Sequence, residues 1–503
     1  MKKIISMLLV IMLLGTILVA CKNDNETSNN STDQSAVSGT ESEDSGYTAE
    51  IPDVDYDGIQ FKILTTAFSL SKMEYSEFGY GDELEENVIN VAVAERNAAV
   101  EELLNIEIVE ECIEATERFS GGALNDRVLQ SMQMGSDDYY LVVPSLYNCA
   151  VLAKQNTLYD LMDFEYLHGL EAEWWDQYFV DDIEIDGRLF FATGDIGFQT
   201  RNSLTVCFFN KNMFQEFGLE DPYELVNNKT WTFDKLIQWS TKTRVDLDNN
   251  NIIDYTDKFG VAGQNDLMWA MFYGSGERLA SKDAEGMPQI TMYNAHSVNV
   301  VEKILELMTN SDYFVNANNY FTVSNTPVDL TRQAFIDERC LIFCEGLGSV
   351  EKLRNMAADT DFGILPIPLY DENQENYQHM INPWSGNAVA IPKFLSTDDA
   401  EMASVVMEAL GAASKNILTP AYYELALKKQ KTRDEESQAM LDVIFDTIGC
   451  DMGHIYNWGG MGAMLHKLVD NKLLGQFTSE YQSIEATIKA AMDSTVEIFN
   501  EIP

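Results

Sequence analysis

Basic side chains are scarce in this sequence. Its 503 residues contain 33 lysines and arginines against 81 aspartates and glutamates, which gives a formal net charge of −48 at pH 7. Proteins that bind nucleic acids hold the phosphate backbone with a surplus of Lys and Arg. The deficit therefore excludes a nucleic-acid-binding protein, and it argues equally against an electrostatic hold on anionic lipid.

Histidine is also rare, and the sequence patterns of several common catalytic sites are missing. The five histidines include no pair at the spacing of zinc ligands, which disfavours a His-based metalloenzyme. The sequence contains no GxSxG, no HExxH and no GxxxxGK followed by Ser or Thr. With 81 acidic residues, neighbouring carboxylates are unavoidable. The acid count alone therefore leaves a cell-surface glycoside hydrolase open as an alternative.

Cysteine is sparse as well, with seven residues in the whole chain. Apart from Cys21, most of them lie in apolar runs spread over more than 300 residues, which favours buried free thiols over a disulfide framework. Bridges stay open as the alternative, and the close spacing of two of them is weak evidence for a metal. These six are Cys112, Cys149, Cys207, Cys340, Cys344 and Cys450.

The N-terminus has the features of an export signal. Lys2 and Lys3 precede an apolar run that ends shortly before Cys21, and polar residues follow at once. The run is too short for a convincing transmembrane helix and fits a secretory signal. Leu18-Val19-Ala20-Cys21 resembles the lipobox of bacterial lipoproteins, with a chance cysteine after an ordinary signal as the alternative. We expect removal of residues 1–20, acylation of Cys21 and a location on the outer face of the cell membrane.

Residues 21–54 form the next predicted segment, and they are rich in Ser, Thr, Asn, Asp, Glu and Gly. Such a composition buries too little apolar surface to offset the entropy of ordering, so we expect a flexible tether. The membrane is then reached through the lipid anchor only.

Strands and helices alternate after the tether. Apolar residues at period 2 predict strands and those at period 3.6 predict helices. A repeating β-α-β order predicts a parallel sheet with helices on both faces, in which ligands bind beyond the carboxyl ends of the strands. The predicted elements are strands 59–64, 105–109, 139–143, 188–193, 205–209, 341–344, 362–365 and 387–391, helices 87–104, 125–133 and 234–241, and a helical tail from about 401.

At this point the sequence resembles a known family, the extracellular solute-binding lipoproteins of ATP-driven (ABC) importers related to maltose-binding protein. The resemblance covers the chain from about Ile59 to its end. It is carried by residues 94–108 (AERNAAVEELLNIEI), 186–195 (DGRLFFATGD), 208–225 (FFNKNMFQEFGLEDPYEL), 228–236 (NKTWTFDKL), 361–368 (DFGILPIP), 382–393 (NPWSGNAVAIPK) and 433–448 (RDEESQAMLDVIFDTI).

The resemblance implies a two-lobed α/β, periplasmic-binding-protein-like fold. Each lobe would be a largely parallel sheet with helices on both faces, and the ligand would lie in the cleft between the lobes. By order along the chain, lobe 1 is expected to comprise residues 55–198 plus 381–415. Lobe 2 would comprise residues 199–380 plus 416–503. The expected protein is a monomer and not an enzyme.

One loop has the spacing of a calcium site. Residues 246–257 place side-chain oxygens at loop positions 1, 3, 5, 9 and 12 and a main-chain carbonyl at position 7, the pattern that wraps a hard cation. The loop has Asn251 where the turn glycine is usual, and Asn tolerates positive φ. A solvated acidic loop is the alternative. The candidate ligands of Ca²⁺ are Asp246, Asp248, Asn250, Ile252, Asp254 and Asp257.

The predicted cleft needs aromatic rings that stack on sugar CH faces, and polar groups that bond hydroxyls. Most candidates for it lie where polar and aromatic residues interrupt apolar strands, and Thr66 follows the end of the first predicted strand. They are Thr66, Tyr147, Asp195, Asn265, Trp269, Glu345, Trp384 and Trp458. Trp231 and Trp239, on or beside a helix, are expected in the core instead.

Together these features predict a receptor that captures a small polar solute by lobe closure and delivers it to ABC permease subunits. An oligosaccharide is the expected solute. The alternatives are the glycoside hydrolase, which would turn over its sugar, and a peptide-binding or adhesive surface lipoprotein, which would differ in what the cleft holds.

Overall fold

The computed structural model describes residues 46–67, 76–79, 87–115, 117–356, 360–428 and 435–502. The predicted signal peptide, Cys21 and the tether up to residue 45 lie outside the described residues. None of the helices in the described ranges combines the length and apolar character needed to cross a bilayer.

The first sheet is parallel and has the strand order β2-β1-β3. Its strands are β1 (Ile59–Ala67), β2 (Ile106–Glu114) and β3 (Leu141–Val143). Residues 387–392 extend the sheet beyond β3 through antiparallel bridges such as Val142 to Ala390, and Ala192 bridges to Val389 on the far side. Phe61 and Ile63 on one face of β1 are buried without exposed surface, as the period-2 pattern predicts, and Leu64 on the other face is buried as well.

The second sheet has five strands in the order β10-β4-β9-β5-β8, with β4 antiparallel to both of its neighbours. β9, β5 and β8 are parallel to one another. Its strands are β4 (Thr205–Asn210), β5 (Phe259–Gly263), β8 (Phe314–Asn316), β9 (Cys340–Gly346) and β10 (Phe362–Leu365). Two smaller pairs are β6 (Ala280–Lys282) with β7 (Pro288–Ile290) and β11 (His379–Met380) with β12 (Ile448–Gly449).

Helices fill the segments between the strands. They are α1 (Val88–Leu104), α2 (Ala123–Met134), α3 (Leu146–Lys154), α4 (Gln177–Ile183), α5 (Gln199–Asn202), α6 (Lys211–Glu216), α7 (Pro222–Asn227), α8 (Phe233–Thr243), α9 (Leu267–Gly274), α10 (Ala295–Met308), α11 (Val328–Ile336), α12 (Ser349–Met356), α13 (Thr397–Asn416), α14 (Leu418–Lys428), α15 (Glu435–Phe445), α16 (Met452–Tyr456), α17 (Met461–Asp470) and α18 (Phe477–Glu501). Short 3-10 helices span Leu161–Asp163, Glu165–Leu170, Ala317–Tyr320 and Trp458–Gly460.

Helix ends follow local capping chemistry. The Asn87 side chain accepts a hydrogen bond from the Asn90 N–H at the start of α1, and Asn105 ends that helix in the left-handed region at φ 49°. Thr232 caps α8 in the same way. The predicted helices 87–104, 125–133 and 234–241 are confirmed within two residues at each end. Side-chain caps start the first and third of them, whereas the second starts after Gly122 without a side-chain cap and ends at Gly135 in the left-handed region.

The two segments that join the sheets are residues 196–204 and 366–386. The side-chain carboxylate of Glu77 is hydrogen-bonded to the first segment and to Asn387, the residue that follows the second. Its Oε1 accepts hydrogen bonds from the backbone N–H groups of Phe198 and Gln199, each 2.8 Å long. Its Oε2 accepts a hydrogen bond of 2.5 Å from Nδ2 of Asn387, where the chain re-enters the first sheet. One carboxylate therefore bonds the first connection and the residue that follows the second.

The predicted lobe boundaries place each sheet within one lobe, and they stay a prediction. α14, which follows the expected boundary at residue 415, packs through Leu418 and Tyr422 on Ile89 and Val93 of α1. Trp231 and Trp239 are both fully buried and stacked, with ring centroids 5.2 Å apart. Their predicted core position is confirmed.

A buried histidine on β11, His379, predicts a pH dependence. Nε2 of His379 accepts the Ile367 N–H (3.1 Å), and the other ring nitrogen lies 2.9 Å from Thr447 Oγ1. Burial lowers the pKa of His379 to about 3, whereas the unfolded chain has an ordinary histidine pKa of about 6.5. The stabilising contribution is therefore complete above about pH 6.5 and is lost as the pH falls towards 3.

We expect the His379→Gln variant to show this dependence directly. The difference in the free energy of unfolding between wild type and variant should shrink by about 2 kcal/mol between pH 7 and pH 5, because only the wild-type unfolded state gains this proton. Urea unfolding of both proteins at the two pH values measures it. A difference that stays constant with pH would contradict the neutral, buried ring.

Candidate functional site

A small pocket of about 100 Å³ lies where the second sheet meets the segments that join it to the first. Its walls combine carboxylates, amides, hydroxyls and one indole ring. The lining residues are Ser203, Thr205, Gln264, Asp266, Leu267, Cys344, Glu345, Gly346, Asn382, Trp384 and Ser385.

The sheet topology explains why residues so distant in sequence meet here. β5 and β9 are parallel neighbours, so their carboxyl ends lie at the same edge of the sheet. Gln264 and Asp266 follow β5, and Glu345 and Gly346 end β9. β4 runs the opposite way and starts at this edge, with Thr205 paired to Gly346. Ligands of α/β sheets bind at such edges.

Two carboxylates give the pocket its charge. Asp266 Oδ2 accepts a hydrogen bond from Asn382 Nδ2 (2.8 Å), and Asp266 Oδ1 lies 3.8 Å from Nε2 of His466. Burial raises the pKa of the Glu345 carboxyl, and the opposing charge of Arg332 offsets this only in part. Glu345 Oε2 is buried and has no hydrogen-bond partner. None of the described residues that line the pocket is basic.

Trp384 is the aromatic member of the lining. The guanidinium of Arg118 lies over its ring, 5.3 Å from the centroid, and Arg118 Nη1 donates a hydrogen bond to the Trp384 carbonyl (3.0 Å). Arg118 belongs to the segment before α2, on the side of the first sheet. Trp384 is only partly buried, and Arg118 fixes the position of its ring at the pocket.

Trp269 lies behind the pocket. It is 3% exposed, donates from Nε1 to the Gly462 carbonyl (2.9 Å), and stacks on the His466 ring with centroids 3.6 Å apart. The His454 ring packs edge-on against the Trp269 ring, at 4.2 Å between ring centroids. Burial lowers the pKa of both histidines. This aromatic group supports Asp266 through His466 and does not itself line the pocket.

Two of the sequence-predicted binding residues, Glu345 and Trp384, are brought together in the pocket. Thr66 lies near the end of β1, paired with Ile113 in the first sheet. Asn265 stands between two lining residues, but its side chain bonds Asn316 and Asp470. Neither of them lines the pocket.

Tyr147 and Trp458 also lie away from the lining, and both are buried. Tyr147 packs against Phe119 and His454, with ring centroids 4.9 and 5.8 Å away. Trp458 is stacked on Tyr456 and donates from Nε1 to Thr495 Oγ1 (2.9 Å) on α18. Their side chains have packing roles, so any contact with a ligand would need a rearrangement.

Asp195 is the centre of a buried ion cluster near the first connection. Its Oδ1 accepts from Arg201 Nη2 (2.9 Å) and Thr419 Oγ1 (2.8 Å), and its Oδ2 lies 3.1 Å from Lys415 Nζ. Arg201 Nη2 is also 3.7 Å from Asp176 Oδ1. Burial raises the pKa of Asp176 and opposes the charge of Arg201, but the two carboxylates raise the Arg201 pKa overall.

The sequence analysis missed six polar residues of the lining. Four of them lie beside residues or within segments that it selected. Asn382 and Ser385 belong to the NPWSG segment that contains Trp384, and Gln264 and Asp266 flank Asn265. Ser203 and Thr205 have no local signal, because they join the pocket only through the antiparallel pairing of β4 with β9.

The predicted calcium loop has its acidic side chains together. Oxygens of Asp246, Asp248 and Asp257 lie within 4.8 Å of one another, and Asp257 is fully buried. The Asp257 carboxylate accepts the backbone N–H groups of Leu247 (2.8 Å) and Asp254 (3.1 Å), which closes the loop. Asn251 has φ 64°, the left-handed conformation expected at the turn position.

Other side chains of the loop form hydrogen bonds within the loop. Asn250 Nδ2 donates to Asp248 Oδ2 (2.8 Å), and Asp254 Oδ1 accepts from the backbone and hydroxyl of Thr256. The oxygen-rich donor set fits a hard cation such as Ca²⁺.

A larger open groove of about 440 Å³ lies between the β6–β7 hairpin and α18. Met287, Pro288, Met492 and Val496 line it together with acidic residues of α18. It lacks the hydroxyls and the aromatic ring of the smaller pocket. The smaller pocket is therefore the candidate binding site.

Comparisons with known proteins identify the fold. No protein-family model and no curated protein matches the chain. A substrate-binding protein of an ABC transporter from Listeria monocytogenes, in complex with cycloalternan, is 13% identical at a TM-score of 0.52, covering 88% of this chain and 100% of that one. UgpB from Mycobacterium tuberculosis, in complex with glycerophosphocholine, is 13% identical at a TM-score of 0.51, covering 81% and 96%.

The maltose/maltodextrin-binding domain MalE from Bdellovibrio bacteriovorus, bound to maltotriose, is 14% identical at a TM-score of 0.50, covering 88% of this chain and 100% of that domain. At these identities the likeness establishes the fold alone. The predicted two-lobed α/β fold of solute-binding proteins is confirmed.

Proposed function

We propose that the protein is a non-enzymatic, lipid-anchored receptor on the outer face of the cell membrane. It captures a small polar solute, an oligosaccharide, by closure of the two lobes and delivers it to an ABC permease. The observation that carries this proposal is the pocket at the carboxyl ends of β5 and β9, whose lining also includes residues of both connections between the sheets.

The chemistry of the pocket supports a sugar. Carboxylate and amide groups around Asp266, Glu345 and Gln264 accept hydrogen bonds from hydroxyls, and the Trp384 ring offers a flat surface for CH groups. Two carboxylates with no basic side chain in the lining disfavour anionic solutes such as uronates or sugar phosphates. Cycloalternan and maltotriose, the ligands named for two proteins of similar fold, are uncharged oligosaccharides.

The volume of the pocket supports capture by closure. Pockets for small molecules usually enclose about 300–1,000 Å³, whereas this one has about 100 Å³. An oligosaccharide therefore enters only when the lobes part. A ligand that touches both the second sheet and the connecting segment of Trp384 favours the closed arrangement by its additional contacts there.

Thermal unfolding in the presence of a ligand panel tests the proposal. The panel contains neutral oligosaccharides, acidic oligosaccharides, polyols, glycerophosphocholine and peptides. We expect a neutral oligosaccharide to raise the melting temperature, since a ligand at 100 times its Kd adds about 2.7 kcal/mol. Chromatography should find the sugar unchanged. A response to peptides alone would contradict the solute class, and release of shorter sugars would contradict the non-enzymatic role.

We also propose that the loop 246–257 holds Ca²⁺. Asp246, Asp248, Asn250 and Asp254 would supply side-chain oxygens, Ile252 its carbonyl, and Asp257 the last carboxylate. The support is the convergence of three carboxylates and the complete burial of Asp257, because a buried charge is costly without a compensating one. The bound ion would tie α8 to β5.

Chelation is expected to destabilise the wild-type protein. With calcium at 100 times its Kd, the ion adds about 2.7 kcal/mol, so EDTA should lower the melting temperature. Asp246→Asn should remove most of this response. Asp283→Asn is the matched control, because Asp283 is a loop acid that also accepts nearby backbone N–H groups. Equal melting temperatures of the wild type in calcium and in EDTA would contradict the site.

A further inference from the structure

Two buried thiols of the second sheet face each other across neighbouring strands. Sγ of Cys207 on β4 and Sγ of Cys344 on β9 are 3.5 Å apart. Cys207 has no exposed surface and Cys344 is 3% exposed. The six cysteines of the described residues are unbridged in the structure. This pair is in sulfur–sulfur contact.

The strand register favours a bond between these two residues. Cys207 and Cys344 are direct partners in the antiparallel β4–β9 pair. The Leu347 N–H donates to the Leu204 carbonyl (2.8 Å), so Leu204 and Leu347 form a hydrogen-bonded pair. In an antiparallel ladder, hydrogen-bonded pairs alternate with non-hydrogen-bonded pairs. Counting from that pair, Cys207 and Cys344 form a non-hydrogen-bonded pair, where Cα atoms are about 4.5 Å apart. Disulfides span Cα distances of about 4.4–6.8 Å.

We propose that Cys207 and Cys344 form a disulfide in the exported protein, which joins β4 to β9 at the floor of the candidate pocket. The proposal rests on the exported location proposed above. Cys344 itself lines the pocket, as does Thr205, two residues before Cys207. The bond therefore fixes the relative position of the strands that present Thr205, Glu345 and Gly346 to the ligand.

The oxidation is a thiol–disulfide exchange with a small disulfide such as oxidised glutathione. The thiolate of one cysteine attacks a glutathione sulfur, forms a mixed disulfide and releases one glutathione thiolate. The second cysteine thiolate attacks the protein sulfur of the mixed disulfide and releases the other glutathione. Two electrons and two protons pass from the cysteines to the oxidant, which becomes two glutathione molecules.

The exchange takes place during folding. The contact with Cys207 and burial raise the pKa of the Cys344 thiol, so the folded protein presents little of the reactive thiolate. Exclusion from solvent then protects the bond once it has formed.

Cys340 supplies a matched control. It lies on the same strand as Cys344 and is also buried, and its Sγ faces the carbonyl of Ile342 at 3.2 Å. Trypsin cuts after Arg201 and Lys211 and after Arg339 and Lys352, so Cys340 and Cys344 fall in one peptide. Only the Cys344 thiol faces Cys207.

The experiment maps disulfides in the full chain exported by a bacterial host and trapped with an alkylating agent before digestion. We expect peptide 202–211 to be linked to peptide 340–352, with fragmentation assigning the link to Cys344. Cys344→Ser should abolish the link and Cys340→Ser should keep it. Reduction of the wild type should lower the melting temperature by several degrees, because the bond closes a long loop.

A second preparation uses only the wild-type chain, so it tests the disulfide even if a cysteine variant does not fold. The wild-type chain is denatured, reduced and refolded with oxidised glutathione, and it should regain the same link. Absence of the link after refolding, or a link through Cys340, overturns the proposal. A link found after refolding and missing from the exported protein also overturns it, while sugar binding in the thermal assay judges the proposed receptor function separately.

Discussion

Replacing Arg201 by methionine is expected to lower the free energy of unfolding by about 3–5 kcal/mol. Arg201 is the cation shared by Asp195 and Asp176, at 2.9 and 3.7 Å. Both carboxylates are at least nine-tenths buried. Lys415 still reaches Asp195 in the variant, but Asp176 loses its cation. Asp176 then holds an uncompensated charge in a site that is nine-tenths buried.

The matched control is Arg244→Met, which makes the same chemical change in an exposed ion pair. The side chains of Arg244 and Asp312 are 42% and 50% exposed, so the loss should stay within about 1 kcal/mol. Urea unfolding of the wild type and both variants at pH 7 compares them. Equal losses for the two substitutions would show that the cluster around Asp195 contributes no more than a surface pair.

Replacing Glu345 by glutamine is expected to weaken binding of the best neutral oligosaccharide by about 10- to 100-fold, because a hydrogen bond to a charged group is worth about 1.5–3 kcal/mol. Glu345 Oε2 has no partner within the protein and is therefore free to accept from a sugar hydroxyl. Stability should not fall, since the substitution removes a buried charge whose Oε2 has no hydrogen-bond partner in the protein. Isothermal titration calorimetry measures the affinity, and urea unfolding the stability.

Glu306→Gln on α10 serves as the control for this substitution, because Glu306 is exposed and outside the pocket. Its affinity should equal that of the wild type. A Glu345→Gln variant that binds the same sugar at wild-type affinity would place the ligand elsewhere, while leaving the fold as described.

Much of the fold is predictable from local patterns. The strands at 59–64, 205–209 and 362–365 and the helix 87–104 carry clear periodicity and caps, and the structure confirms them. β2 is longer than predicted and ends at Glu114 instead of Val109. Its continuation is acidic and only partly buried, so period-2 hydrophobicity fades there while the pairing with β1 goes on.

The pocket is harder to predict because the order of the strands in the second sheet brings its residues together. Residues near 204, 265, 345 and 384 meet only because β4, β9 and β5 are neighbours, and no local pattern encodes that order. Gly and Asn around Trp458 resemble a binding loop in the sequence. In the structure, Gly459 makes room for the backbone of Ile488 on α18, to which an added Cβ would approach within 2.6 Å.

The hydrogen bonds of Glu77 set a mechanical condition on lobe movement. Because one carboxylate is bonded to residues 198–199 and to Asn387, these two pieces of chain move with the first sheet as one body. Pro383, Trp384 and Gly386 are bonded to the same side, through Tyr147, Arg118 and Leu146. The segment that carries Trp384 is therefore attached to the first sheet, whereas Glu345 and Asp266 belong to the second. A solute that contacts Trp384 and Glu345 together bridges the two sheets.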